Sequence, residues 1–490
     1  MVRGSSVCGA LLLALLGGCT MIPHYHKPEA PVADGWPQGP GKGIAGQDAS
    51  ALLQDWRSFY RDPVMQTLIA SALENNRDLR IAQQQAAAAS SQFDIENAAL
   101  FPTLNGTAGA NIQKMNSHIW SLSQTNEPIY MRQYAVGFGV SAYEVDLWGR
   151  IRSASRASFD HYMASALNQQ AMRLSIISSV ATAMLNWVAN TQALALTQAV
   201  LANRQHTYDL VRQTADVGTG TQLDVAEAES ALHDVETNVE IYTRQKAEAF
   251  NQLTLLVGMP LSDATVQSLN TRASLDSVSA FPDVPAGLPS EMIARRPDIR
   301  AAEAELRAAN DDIGAARAEF FPKIQITAAN GTASNNITRL FQSGMGAWNV
   351  APQITVPLFD AGRLMAQLKQ AHSRKREEIA RYEKAIQQSF REVADALIGR
   401  ETYVRQTTAQ QNAVAANKRQ YALALQRYKA GYDPYLETLV AQRALYTAQL
   451  SAITTQLQAL SNSVTLYKTL GGGWGQTIRP PKTPLADHIL

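Results

Sequence analysis

The chain has 490 residues, with 43 Lys and Arg against 42 Asp and Glu and a hydrophobic share of 46%. A net charge of +1 leaves no electrostatic excess for tracking a phosphate backbone, which excludes nucleic-acid binding through bulk charge. Intrinsic disorder is excluded too, because the apolar fraction is ordinary and the net charge is near zero.

The first element is a secretory signal peptide over residues 1–18, with Arg3, an apolar run from Ala10 to Leu16 and then small residues. Its apolar core is too short for a permanent membrane span. The end, Leu16-Gly17-Gly18-Cys19, resembles a bacterial lipobox, in which the cysteine is diacylated and becomes the acylated amino terminus. A plain signal peptide with a stray cysteine is the alternative. Several acyl chains, at about 0.8 kcal/mol per buried methylene, anchor a protein where one chain does not. Cys8 leaves with the signal, so no intrachain disulfide is possible. Residue 20 is Thr, whereas Asp at that place tends to retain lipoproteins at the inner membrane. The lipobox therefore points to the outer membrane. No later run of eighteen consecutive apolar residues occurs, so any spanning falls to strands.

Downstream the chain repeats itself. Asn76-Arg77-Asp78-Leu79-Arg80 leads through an Ala/Gln-rich helical run to Phe101-Pro102, and Arg296-Pro297-Asp298-Ile299-Arg300 leads in the same way to Phe321-Pro322. Each Asp precedes its Pro by 24 positions. Gly149-Arg150 then matches Gly362-Arg363, Tyr208 matches Tyr421, Gly218 matches Gly431 and Gly258 matches Gly471, all at an offset of 213. The offset before the strands is 220, so the first copy carries seven more residues between its Phe-Pro and its Gly-Arg, the mark of a surface loop. Each copy reads helix, strand pair, very long helix, helix.

Between Phe-Pro and Gly-Arg the period is two. Leu104, Gly106, Ala108, Ala110 and Ile112 share one face, and Tyr134, Val136, Phe138 and Val140 share another. In the second copy Ile324 and Ile326, then Trp348, Val350, Ile354 and Val356, alternate with polar residues. Such strands fit a transmembrane barrel, and a half-buried soluble sheet gives the same pattern. Four strands cannot close around a lumen, and open edges cannot face lipid, so a barrel would have to be shared between copies of the chain.

From Ile151 to Val217, 67 residues carry no Gly or Pro. As one helix they would reach about 100 Å. Val180, Trp187, Leu194, Leu201 and Tyr208 recur every seven residues, a coiled-coil seam; a core helix of a bundle is the bland alternative. A second breaker-free run, Thr221 to Val257, returns along it. The second copy repeats this with Leu364 to Ala430, interrupted only by Gly399, and Tyr435 to Leu470. The expected division is a signal peptide 1–18, a lipidated N-terminal and equatorial part 19–75, repeat one 76–265, an equatorial linker 266–290, repeat two 291–475 and a tail 476–490. The fold class is mainly α with a transmembrane β-barrel part.

Nothing points to catalysis. The eight histidines are scattered, and His24-Tyr25-His26 reads as exposed polar sequence without a carboxylate to complete a metal site. Asp311-Asp312 reads as a solvated helix face. Gly471-Gly472-Gly473-Trp474-Gly475 lacks Gly-Lys-Ser/Thr and reads as a helix terminator. No nucleophile elbow is found, and no cofactor or metal is expected.

The lipobox, Pro23 to Pro28, Trp56 to Pro63, the two Phe-Pro marks, Asp146-Leu147-Trp148-Gly149-Arg150, Arg295 to Ile299, Pro357 to Arg363 and Gly471 to Trp474 together resemble the outer-membrane factors of tripartite efflux pumps. The likeness is to the OprM-like (NodT-type) lipoproteins, with TolC a more distant relative. It covers nearly the whole mature chain. It implies a homotrimer whose four strands per chain build one twelve-stranded barrel, with the helices as a tunnel across the periplasm. It also implies a periplasmic membrane-fusion adaptor and an inner-membrane transporter of the resistance-nodulation-division class as partners. By position in the family, the tunnel closes near Gly218 and Gly431, where Asp224 and Glu437 sit equivalently. Tyr428 resembles a tyrosine that hydrogen-bonds to the first copy's acid. Glu227 has Val440 in place of its counterpart, so the inner ring is less acidic than in relatives. A carboxylate ring under three-fold symmetry attracts cations and resists full ionisation; acids after a turn are also ordinary helix N-terminal residues. A protein-secretion exit channel and a lipid-anchored structural coiled-coil protein remain as alternative functions.

Overall fold

The computed structural model describes residues 20–33, 35–36, 55–115, 129–278, 281–282 and 296–472. The signal peptide, Cys19, residues 279–280 and 283–290 of the linker, Arg295 and the tail beyond Gly472 lie outside the described residues. Among the described residues nine α-helices and four strands follow in chain order: α1 (Trp56–Phe59), α2 (Pro63–Asn75), α3 (Arg77–Ala98), β1 (Leu104–Met115), β2 (Ile129–Glu144), α4 (Arg150–Asp216), α5 (Gln222–Val257), α6 (Asp263–Asn270), α7 (Pro297–Ala318), β3 (Lys323–Ser334), β4 (Gly346–Thr355), α8 (Arg363–Lys429) and α9 (Tyr435–Thr469).

The four strands form one antiparallel sheet in the order β1-β2-β3-β4. The register aligns the apolar stripes of both copies. Leu104 pairs with Val140 and Gly106 with Phe138; Val140 pairs with Ala328 and Phe138 with Asn330; Ala328 pairs with Val350, Asn330 with Trp348 and Ile324 with Ile354. Paired residues share a face, so the sheet has one apolar side. That side is open: Leu104, Phe138, Trp348, Val350 and Ile354 are each at least half exposed. β1 and β4 are its edges. A bulge between Val140 and Tyr143 bends β2 as it leaves the sheet.

At the foot of the sheet the two copies lock together. The Trp148 indole donates to the Pro322 carbonyl at 3.0 Å and its ring stacks on Phe321, so the Trp-Gly-Arg of copy one grips the Phe-Pro of copy two. Arg150 forks onto Glu144 with two bonds of 2.8 Å. Gly149 and Gly362 start the long helices with φ of 75° and 87°, a backbone region that side chains with a Cβ avoid. Phe101, Phe320, Leu358 and Phe359 remain exposed at this level.

α4 and α8 each run 67 residues, paired with α5 and α9 respectively, while α3 and α7 both pack on α4. The helix α8 passes straight through Gly399, where the sequence suggested an interruption. The Asn462 side chain of α9 sits where a Cβ on residue 399 would lie and donates to the Ala396 carbonyl at 2.9 Å; the glycine is there for close approach of α9. One 18-residue window of α4 is apolar enough to cross a membrane, but 61% of it is buried in the protein, and its apolarity serves packing. Val180, Met184, Trp187 and Val188 there meet Leu68 and Ile69 of α2, Leu253 and Val257 of α5 and Tyr467 of α9 in the main core. Phe59, Phe281 and Tyr467 stack within it. The expected seven-residue seam holds at Val180 and Trp187, which are buried, and shifts below them. Leu194, Leu201 and Tyr208 are only half-buried, and Thr197, Arg204 and Val211 take the inside. The neighbour changes there: Thr197 meets the Tyr446 hydroxyl at 2.9 Å and Val211 clusters with Tyr435, both on α9.

The segment from Thr20 to Trp36 is a strap along α7. The Met21 and Pro23 carbonyls accept from Arg317 and Asn310, Ile22 lies on Gly314, Lys27 pairs with Glu303 at 2.8 Å, and Trp36 stacks on Phe390 of α8. This corrects the expected exposure of His24-Tyr25-His26 in part: the histidines are exposed and Tyr25 is half-buried.

Asp311 and Asp312 are also half-buried rather than solvated, because α7 packs along α4. Burial pushes Asp311 up to about 6, with the Asp160 charge on α4 adding to it; Asp160 itself is pushed up to about 6 by burial, against the lowering effect of Arg307. Carboxyls with raised folded values bind protons more tightly in the folded state. Their contribution to stability is full below the unfolded value near 4 and is lost as pH rises through about 6. Asp311→Asn is therefore expected to raise the melting temperature by about 1–3 °C at pH 7.5 and to leave it unchanged at pH 4. Scanning calorimetry of the purified protein at the two pH values checks this; an equal shift at both would place the gain outside this titration.

Candidate functional site

The two turns that close the long helix pairs sit at one end of the chain's helical part. After α4, Gly218 takes a φ of 79°, and after α8 Gly431 takes 75°. Thr221 caps α5: its hydroxyl accepts from the Asp224 amide at 3.1 Å, while the Asp224 carboxylate accepts from the Thr221 amide and hydroxyl. This reciprocal capping box satisfies two helix-end donors, and it occupies one oxygen of Asp224. At the second turn Arg427 forks onto Asp433, with one bond of 2.8 Å, and this pairing holds Asp433 below the usual carboxylate range.

Between the turns, Val211 on α4, Ala228 on α5 and Tyr435 on α9 form a small core, flanked by Tyr208, Val225, Tyr428 and Leu439. Small apolar contacts thus tie both hairpins together. The rings of Tyr428 and Tyr435 meet at 5.6 Å. Tyr428 is half-buried; burial raises it, and the nearby Asp224 charge raises it further. Of the candidate residues, the fold brings these two together, with no hydrogen bond between them. Glu437 is exposed on the first turn of α9, and so is Val440. Glu227 lies apart from them, on the wall of a cavity between α5 and α9. Val217, Leu223, Tyr432 and Leu436 are exposed apolar side chains around the turns.

Three features escaped the sequence. The Arg427–Asp433 fork lies within a turn whose sequence, Ala-Gly-Tyr-Asp-Pro, signals only the turn. The Asp160–Asp311 pair joins residues on separate helices, with nothing in either local sequence to link them. Arg204 is 4% exposed, and a charge in register with Thr197 and Val211 on the buried stripe of α4 was the available signal. Among the described residues no group of three or more His, Cys, Asp or Glu is arranged to hold a metal ion.

Comparison with known proteins gives one answer from three directions. A family model described as "Outer membrane efflux protein" matches residues 68–259 and 288–472. The toluene efflux pump outer membrane protein TtgC of Pseudomonas putida is 41% identical over 466 residues, covering 95% of each chain. Outer membrane protein OprJ of Pseudomonas aeruginosa is 39% identical over 470 residues, covering 95% of this chain and 96% of that one. The structure of the open state of the MtrE outer membrane channel of Neisseria gonorrhoeae superposes with a TM-score of 0.83 at 37% identity, covering 94% of this chain and all of that one.

Proposed function

The chain belongs to the outer membrane efflux protein family, and from that premise we infer that it is the outer-membrane channel of a tripartite efflux system, a passive duct that carries drugs or toxic small molecules outward. It is a transport protein of the outer membrane that extends into the periplasm. The observation that carries this is the joining of one open-faced antiparallel sheet to helices of 67 residues, each about 100 Å long. A scaffold of coiled coils has no use for such a sheet.

In our proposal three copies close the sheet. The edges β1 and β4 leave backbone donors and acceptors that lipid cannot satisfy, and pairing β4 of one copy with β1 of the next gives twelve strands with no edge. The division into two repeats around an equatorial belt, with signal peptide and tail outside it, follows the internal repetition of the sequence. A periplasmic adaptor docks at the helix turns, where Val217, Leu223, Tyr432 and Leu436 offer apolar contact, and an inner-membrane transporter of the resistance-nodulation-division class feeds the duct. Cys19 is the lipid anchor: the strap on α7 supports this by bringing residue 20 toward the foot of the sheet, where Phe320, Leu358 and Phe359 are exposed.

The test is deletion of the gene in its host, followed by accumulation of a panel of dyes and antibiotics. Accumulation should rise and return to normal with the wild-type chain; Cys19→Ala should restore most of the efflux, since strap and barrel also hold the chain. Unchanged accumulation together with loss of secreted proteins from the medium would favour a secretion exit instead.

The gate of the duct, in this proposal, comprises Asp224, Tyr428, Glu437 and, further from the turn, Glu227. Three-fold repetition sets carboxylates around a narrow opening and favours cations. Asp224→Asn should reduce the cation-over-anion permeability ratio in planar bilayers by about twofold, and Tyr428→Phe should leave it unchanged, because no hydrogen bond is lost. A larger effect from Tyr428→Phe would overturn that assignment of roles.

A further inference from the structure

Arg204 is the least accommodated charge among the described residues of the helical part. It sits on the buried stripe of α4 at 4% exposure, and its Nε and Nη1 make no hydrogen bond. No carboxylate among the described residues lies within ion-pair distance of it. Its polar neighbour is the neutral Tyr435 hydroxyl, close enough to favour the charged guanidinium but outside good hydrogen-bond geometry. Burial pulls the guanidinium below the ordinary arginine value, yet arginine keeps its proton in proteins. A buried, unpaired guanidinium is costly unless something negative meets it.

The chain leaves room for that something. Arg204 forms part of the wall of a half-open cleft of about 760 Å³ between α4, α5 and α9, within the size range of small-molecule sites. Ser230, Asn238 and Thr447 line it with hydrogen-bonding groups, and Arg443 adds a second guanidinium. Two acids share the α5 wall. Asp234 lies 3.6 Å from Arg443, and that contact offsets its charge. Glu227 remains as an unmatched competitor for Arg204.

We propose that this cavity binds a small organic acid, whose carboxylate docks on Arg204 while Arg443 and the neutral polar groups hold the rest of the molecule. A planar guanidinium suits a carboxylate through paired charge-assisted hydrogen bonds. The site is lined by α4, α5 and α9 of one chain, and Glu227 is common to it and to the proposed gate.

Isothermal titration of the full-length protein in detergent with citrate, at constant ionic strength against chloride, tests it. The expected result is saturable binding of one citrate per chain, weakened about tenfold or more by Arg204→Met. Ser230→Trp, which fills space from the α5 wall and keeps the guanidinium, should weaken binding similarly, and Arg204→Lys should retain part of it; these two carry the test if Arg204→Met does not fold. Glu227→Gln should tighten binding by removing the competing carboxylate. Absence of binding to the wild type, or equal binding to wild type and Arg204→Met, overturns the proposal. So does a Glu227→Gln variant that binds more weakly, since Glu227 would then be helping to build the site rather than competing with its ligand.

Discussion

Val350→Arg should abolish assembly in the outer membrane, whereas Asn349→Arg, one residue away, should be tolerated. Val350 and Asn349 lie in the middle of β4, and successive residues of a strand face opposite ways. Val350 shares its face with Ala328 and, through β2, with Val140 and Leu104; in the proposed barrel that face meets lipid. Asn349 pairs with Ala329, which pairs with Gly139 and, beyond it, Asn105, a face of small and polar residues suited to a watery lumen. An arginine on the lipid side near mid-membrane costs about 2–4 kcal/mol. Three-fold repetition multiplies that to about 6–12 kcal/mol per barrel, comparable with the whole stability of an ordinary domain. The measurement is the amount of heat-modifiable oligomer in outer-membrane fractions, with bilayer conductance for the tolerated variant. Asn349→Arg should yield normal amounts with a shift toward anion selectivity, because it adds three positive charges to the lumen. If Val350→Arg assembles normally and Asn349→Arg does not, the sheet faces the other way.

The sequence made the helices and strands legible because their signals are local. A run without Gly or Pro from Ile151 to Val217 coincides with α4, and alternation from Leu104 to Ile112 lies within β1, since backbone geometry and periodicity need no partner to be read. Even the shared apolar face was half present, in stripes that only the register could align. What local pattern could not carry was the choice of neighbours. The heptad stripe through Leu194, Leu201 and Tyr208 assumes one constant partner, and α4 changes partner below Trp187, so Arg204 turns inward. Asp311 looked solvated because a paired acid in a helical run reads as a solvent face; the burial comes from packing of α7 along α4. Gly399 looked like a break because its reason, Asn462, is 63 residues away. At the turns, Asp224 was visible as a helix-start acid and as a gate acid alike, and the capping box with Thr221 accounts for its helix-start role without excluding the other.

Arg296 explains why an Arg-Pro-Asp motif stands at the head of the second repeat, and its loss should be the most damaging single change in the helical part. Arg296 is 8% exposed. Its Nε and Nη2 fork onto Asp298 at 3.0 and 2.7 Å, Nη2 also reaches Glu392 of α8 at 2.9 Å, and Nη1 donates to the Thr469 carbonyl at the end of α9. One guanidinium therefore joins the start of α7, the middle of α8 and the end of α9, at the level where Tyr467 enters the main core. Arg296→Met leaves Glu392 without its cation and the Thr469 carbonyl without its donor. Breaking such a buried network costs about 3–5 kcal/mol, moderated here because Asp298 and Glu392 are 44% and 29% exposed; about 3 kcal/mol is expected. Arg296→Lys keeps the charge, loses the fork, and should cost about half as much. Limited proteolysis and denaturant unfolding of the purified protein measure both variants, and cleavage should open first at the junction of α7, α8 and α9. A neutral Arg296→Met would mean that the acids find water as good a partner, and that the motif holds the Pro297 turn rather than the three helices.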